Sequence, residues 1–268
     1  VANTVFNLSD KSANLTLSGG NLIATTTSSA LASVRSVDRQ VAGKFYWEIT
    51  CNTLTNSSAS VGMATTAIAQ PIFITGGAGP GTCGVNRAGS VYVDGVIVGG
   101  IAFGTIANGT VVGVAFDADA RLVWFRLGAA GNWNMSATAS PTTGAGGVAV
   151  FLGRGIPAHP AVCFAATSDQ ITANFGDTAF TGTVPSGFTS GFTAGSTIPT
   201  NALATQTAVE HWLSTNPDAQ TTQVVLEQWA TVTGTGLQAL VTQVAIEQWA
   251  SVASIGDIVP QNRVMVMA

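Results

Sequence analysis

Between Gly109 and Trp133 the chain reads GTVVGVAFDADARLVWFRLGAAGNW, and no other stretch narrows the possible folds as far. Val112, Val114 and Phe116 alternate with Val111, Gly113 and Ala115; the polar run Asp117-Ala118-Asp119-Ala120 follows, then Leu122-Val123-Trp124-Phe125. Two runs rich in Val, Phe and Trp across a short polar turn have the sequence form of a β-hairpin. Apolar residues occupy both faces of both runs, so the hairpin is expected inside a sandwich rather than on its surface.

The flanking sequence supplies further strands. In Gly43–Thr50 (GKFYWEIT), Phe45, Trp47 and Ile49 fall on one face and Tyr46, Glu48 and Thr50 on the other. Ala59–Ala64, Val148–Leu152, Pro160–Ala166 and Gln170–Gly176 read as strands, and residues 1–42 as short polar ones. Ser90–Val98 reads as a hairpin turning at Asp94-Gly95. Many short strands with turn signals between them indicate an antiparallel β-sandwich, and no long helical period interrupts them.

Little in the chain carries chemistry. Thr75–Gly84 (TGGAGPGTCG) is Gly-rich, but it lacks the Lys-Ser/Thr ending of a phosphate loop and opens no helix. Asp117-x-Asp119 fits a turn, where Asp bonds its own backbone, better than a metal site. Glu48 is expected to pair with Arg121 or Arg126. The only histidines, His159 and His211, are far apart, and no Gly-x-Ser-x-Gly elbow is present. Cys51, Cys83 and Cys163 match no zinc spacing and read as buried thiols. No catalytic residue, metal ligand or cofactor is therefore assigned, and the chain is not expected to be an enzyme. The candidate ligand contacts are loop residues: Arg87, Trp133, Asn134, Arg154 and His159, in loops spanning 65–90, 128–147 and 153–160. Trp133 can stack on a sugar or anchor a peptide, or it can cap the core.

Taken in order, GKFYWEIT at 43–50, SVGMAT at 60–65, YVDG at 92–95, the 109–133 stretch, PAVCFAA at 160–166, ITANFG at 171–176 and PSGF at 185–188 resemble the SPRY (B30.2-like) domain. The resemblance implies a bent two-sheet β-sandwich over residues 1–190, with loops at one end that bind a partner, usually a protein or peptide. It implies no enzyme activity.

Residues 191–204 form a small-residue linker, and beyond it the composition changes. TQTAVEHWLS at 205–214, TQVVLEQWAT at 222–231 and TQVAIEQWAS at 242–251 are versions of one motif, with Trp212, Trp229 and Trp249 in register. As a strand, Val225 and Trp229 share a face opposite Leu226; as a helix, Val225 and Trp229 stack at i, i+4. The β-branched content and short length favour strands. So small a unit cannot bury its own tryptophan, so the tail 205–268 must pack on itself or on other chains. Trp212, Val225, Leu226, Trp229, Ile246 and Trp249 are the expected assembly contacts. The tail resembles the Thr-Gln/apolar/Glu repeats of tailed-bacteriophage virion proteins.

Composition agrees with that resemblance. Charged residues are only 8% against 46% hydrophobic, and Lys11 and Lys44 are the only lysines. Such a surface suits a protein packed among neighbours, or one that lives outside a cell. A net charge of −4 with no basic cluster excludes nucleic acid as an expected partner. Neither a signal peptide nor an apolar run of membrane-spanning length is read, so no membrane insertion is expected. The reading is a virion component assembled in the host cytoplasm. Sister subunits and other virion proteins would be its partners, with a host-surface protein or glycan as ligand. A free peptide- or glycan-binding module with an oligomerising tail is the alternative.

Overall fold

The computed structural model describes residues 2–76, 81–150 and 156–193, and the backbone of Val244–Trp249 and Gln261–Val266. The chain divides into two compact units, Val1–Gly195 and Ser196–Ala268. The described residues contain no α-helix, only one short 3-10 turn at Trp133–Met135. None of their helices is long and apolar enough to cross a membrane.

The first unit is an all-β sandwich. Its strands are β1 (Phe6–Lys11), β2 (Leu15–Ser18), β3 (Ile23–Thr26), β4 (Ala32–Ser36), β5 (Lys44–Thr53), β6 (Ser60–Thr65), β7 (Thr82–Asn86), β8 (Ser90–Val93), β9 (Val96–Ala102), β10 (Thr110–Asp117), β11 (Leu122–Leu127), β12 (Val148–Ala149), β13 (Ala158–Phe164), β14 (Gln170–Asn174) and β15 (Thr189–Ser190). One sheet runs β1-β4-β13-β6-β7-β8-β9; the other runs β12-β11-β10-β5-β14-β3-β2, with β15 added in parallel to β5. Every other pairing in both sheets is antiparallel. This is the two-sheet antiparallel architecture that the SPRY resemblance implied.

The 109–133 hairpin holds the expected place. Asp117 opposes Leu122 across the turn, and β10 is flanked by β11 and β5. Phe45, Trp47 and Ile49 oppose Phe116, Val114 and Val112, and all six side chains point into the core between the sheets. Asp117 Oδ1 accepts the Ala120 N–H at 2.8 Å, and Oδ2 pairs with Lys44 Nζ at 2.9 Å. The carboxylate thus belongs to the turn.

The outer faces are covered too. Tyr46, Ala115 and Trp124 on the outside of the second sheet pack beneath Ala139, Phe188, Trp133, Phe180 and Val184. Glu48 Oε1 and Oε2 accept the Gly182 and Thr181 N–H groups, each at 2.8 Å, which pins the covering strap to β5. The expected Glu48–arginine ion pair does not form. Tyr46 stands between them, its hydroxyl donating to Glu48 Oε1 at 2.6 Å and accepting from Arg126 Nη2 at 3.0 Å. Arg121 sits in the β10–β11 turn at φ 56°.

On the other sheet, Ile68, Ile72 and Ile74 bury against Ala64, Ala161 and Cys163. Residues 66–76 are therefore a structural cover and not the open binding loop that the sequence suggested. Arg35 ties this cover down: its Nη1 donates to the carbonyls of Thr65 and Ile68, at 2.5 and 2.7 Å, and its other nitrogens grip the Asp10 carboxylate. The Gly-rich segment is also shorter than expected, because Thr82, Cys83 and Gly84 already belong to β7. Gly84 is required there, since a Cβ would meet the Val61 carbonyl and the Ile74 side chain at 2.7 Å. All three cysteines are buried free thiols, as expected.

In the second unit, Val244–Trp249 (β16) pairs antiparallel with Gln261–Val266 (β17), with Ile246 opposite Val264 and Trp249 opposite Gln261. Within the third repeat, Val244–Trp249 is a strand. The first two repeats, with Trp212, Val225, Leu226 and Trp229, lie outside the described residues.

Candidate binding site

β9 and β12 are the terminal strands of the two sheets. An apolar pocket of about 550 Å³ opens between them, lined on one side by Val93, Asp94, Val96, Ile97, Val98 and Ile101 and on the other by Gly146–Ala149. Val93 and Val148 also belong to the core, so the pocket floor is the end of that core.

The first wall is built by the Asp94-Gly95 turn. Both residues take positive φ, 52° and 78°, and Val93 opposes Val96 directly. These angles belong to the tight hairpin turn whose twist matches that of its strands. Asp94 Oδ1 accepts the Gly81 and Thr82 N–H groups at 2.5 and 3.1 Å, and Asp94 N–H donates to the Thr82 carbonyl at 2.9 Å. The turn is thereby locked to the start of β7. Beyond it, Val96 and Ile97 are 68% and 56% exposed, a large apolar area for one strand.

The second wall is held from behind. β12 pairs with β11 at Leu122–Ala149 and Val123–Val148. Trp124 Nε1 donates to the Ala145 carbonyl at 2.8 Å, and Gly147 lies so close to the indole that a Cβ would reach it at 2.5 Å. Asn134 completes the bracket. Its Oδ1 accepts the Phe125 N–H at 2.8 Å, while Nδ2 donates to the carbonyls of Gly146 at 2.8 Å and Val123 at 3.3 Å. Asn134 has φ 45°, a left-handed conformation that Asn tolerates better than most residues. The turn carrying it, Trp133–Met135, lies against β9, and Met135 is exposed.

The loop residues singled out by sequence do not form one surface. Trp133 is half-buried; its ring lies 4.5 Å from the Arg126 guanidinium and edge-on to Tyr46, so it caps the outer cluster. Asn134 is 4% exposed and its amide is fully engaged within the fold. His159 is not in a loop. It lies on β13 at 5% exposure, with Nδ1 3.0 Å from the Ser36 carbonyl and Nε2 3.3 Å from Thr66 Oγ1. Burial holds its imidazole below the usual histidine range, against the raising effect of the Ser36 carbonyl. Arg87 follows β7, where its backbone N–H and carbonyl bond Ala59 and Ile106. Arg154 lies outside the described residues. Of the three expected contact loops, 128–147 alone contributes to the pocket, through Gly146 and Gly147.

The main wall, β9, was missed. Its sequence VIVGGIA is wholly apolar or glycine and follows a tight turn, a signal that by itself says only that Ser90–Val98 is a hairpin. The pocket's chemistry is simple: aliphatic walls, two glycines and one carboxylate. It suits recognition of an apolar group with a donor or cation beside it. Among the described residues no three His, Cys, Asp or Glu side chains gather as a metal-binding group.

No protein-family model matches the chain, and neither does any curated protein. Among solved structures it is similar to the SPRY domain of human HERC1, at 14% identity and TM-score 0.47, over 63% of this chain and 96% of that one. It is also similar to the PSpry domain of TRIM65, at 14% identity and TM-score 0.44, over 65% of this chain and 92% of that one. A stonustoxin structure matches at 15% identity and TM-score 0.44, over 65% of this chain and 27% of that one.

Proposed function

We propose that this protein is a non-enzymatic virion structural component that displays a SPRY-like binding module and is attached, or oligomerised, through its C-terminal repeats. The observation that carries the binding role is the pocket between β9 and β12 with Val96 and Ile97 exposed at its mouth. Concave apolar surface on a rigid scaffold is the usual form of a recognition site. Its ligand is a host-surface protein or glycan.

The attachment role is supported by the repeats. A two-stranded ladder such as β16–β17 is marginally stable alone, so such a unit gains stability from sister subunits or neighbouring virion proteins. The low charge and near-absence of lysine fit a chain surrounded by other chains.

Light scattering coupled to size-exclusion chromatography, on the full chain and on residues 1–195, tests this division of roles. The full chain is expected to form an oligomer and the truncated chain a compact monomer. Two monomers would refute assembly through the tail. A defined soluble oligomer that binds a peptide or glycan but never enters particles would favour the free recognition module.

A further inference from the structure

Among the described residues β9 pairs with β8 alone and ends its sheet. An edge strand exposes unpaired N–H and C=O groups and is a template for another strand. Natural edges are usually blunted by lysine, proline or a short length. β9 has no charge and no proline; a bulge between Ile97 and Ala102, with Gly100 at φ 83°, leaves the Val96–Ile97 end next to the turn as its regular part.

The edge lies beside the pocket, and Asp94 stands at the pocket wall. Its Oδ1 is occupied by the Gly81 and Thr82 N–H groups; among the described residues Oδ2 has no hydrogen-bond partner and no cation pairs with it. A second copy of β9 would not supply one, because residues 90–110 contain no lysine or arginine. Self-pairing would therefore cover Asp94 without compensating its charge, which is costly.

Resting on the binding role proposed above, we infer that β9 takes an extended peptide segment of a partner protein as an added strand. One aliphatic or aromatic side chain of that segment fills the pocket, and a neighbouring lysine or arginine meets Asp94. Main-chain bonds supply affinity in this mode, and pockets for alternate side chains supply specificity. From Val96, opposite Val93, to Ala102, opposite Ser90, the strand advances three steps of β8, about 10 Å, enough for a short ladder.

The test pans an mRNA-displayed random eight-residue library on the full-length protein and measures selected peptides by fluorescence anisotropy. The expected peptides carry Lys or Arg beside a large apolar residue, among β-branched positions. Methylating alternate backbone nitrogens should weaken them at least about tenfold, since it removes the ladder donors. Asp94→Asn, which keeps the Oδ1 acceptor and tolerates positive φ, should weaken them about tenfold through loss of the ion pair. The double variant Val96→Lys, Ile97→Lys, at exposed positions, should abolish binding while leaving the unfolding midpoint unchanged. Selected peptides that tolerate N-methylation, or that lack a cation, overturn the inference. So does a dimer of the full chain that the double variant dissociates.

An uncharged dye, N-phenyl-1-naphthylamine, separates this from the broader reading. Fluorescence enhancement by the full-length protein that is lost in Ala149→Trp, with no peptide enriched, overturns strand addition and leaves the binding pocket standing. Neither dye nor peptide binding overturns both.

Discussion

Replacing Asn134 by alanine is expected to damage the fold far more than removal of a surface contact would. The side chain closes three bonds to buried backbone: it accepts from Phe125 N–H at 2.8 Å and donates to Gly146 and Val123 at 2.8 and 3.3 Å. Leaving the Phe125 N–H buried and unpaired costs about 2 kcal/mol, and the two lost donor bonds add about 1 kcal/mol together. Alanine at φ 45° adds about 1 kcal/mol of strain. The sum is about 4 kcal/mol. For a domain of this size it lowers the thermal midpoint by about 10 °C. Asn134→Gly loses the same bonds without the strain and should be about 1 kcal/mol less damaging. Urea unfolding followed by tryptophan fluorescence measures both. A loss below about 1 kcal/mol for Asn134→Ala, or equal losses for both variants, would refute the bracket that positions β12.

Other parts of the sandwich give further expectations. Glu48→Gln turns an amide nitrogen toward donors that now meet a carboxylate, and should cost about 2–4 kcal/mol; limited proteolysis should then cut within the 177–188 strap, and an uncut strap would count against its anchoring by Glu48. His159 is held neutral by burial, so the unfolded chain takes up its proton first as pH falls. Stability should be full above about pH 6.5 and fall below it, and His159→Gln should flatten that limb in thermal melts taken from pH 7.5 to 5. Asp10, lowered chiefly by its hydrogen bonds from Arg35, adds a second loss only below its ordinary value of 3.8. Burial pushes Cys51 up to about 12 and raises Cys83 and Cys163 as well. A disulfide reagent at pH 8 should label none of the three thiols until denaturant is added; rapid native labelling would contradict their burial.

What could be read in the sequence was local pairing. Phe45, Trp47 and Ile49, and their partners Val112, Val114 and Phe116, announce their shared face by strict alternation, and Asp94-Gly95 announces its turn. Strand order is not local, and it decides the site: nothing within VIVGGIA says that β9 ends a sheet or that β12 ends the other beside it. The cover at 66–76 was hidden because Ile68, Ile72 and Ile74 follow no single period. His159 looked like a loop residue because Pro160 follows it. Pro160 is tolerated in β13 because the β4 ladder begins only at Ala161, so the missing N–H falls in a gap between that ladder and the Ala158–Gln40 bridge. Asn134 reads as a ligand contact because it follows Trp133 in a Gly/Asn-rich stretch; only the fold reveals the three backbone groups it answers.

The positions of β13 and β14 in their sheets bear on how the chain is made. β13 lies between β4 and β6, and β14 lies between β3 and β5. Each is the keystone of its sheet, and each is synthesised after most of the strands it joins. A nascent chain that has emerged only as far as residue 150 holds four strands whose central seats are vacant, with long-range partners still inside the ribosome. Such topologies fold slowly and expose strand edges while they wait. The sandwich therefore closes only once the chain has passed Asn174, and a premature stop before that point yields two half-built sheets rather than a smaller domain.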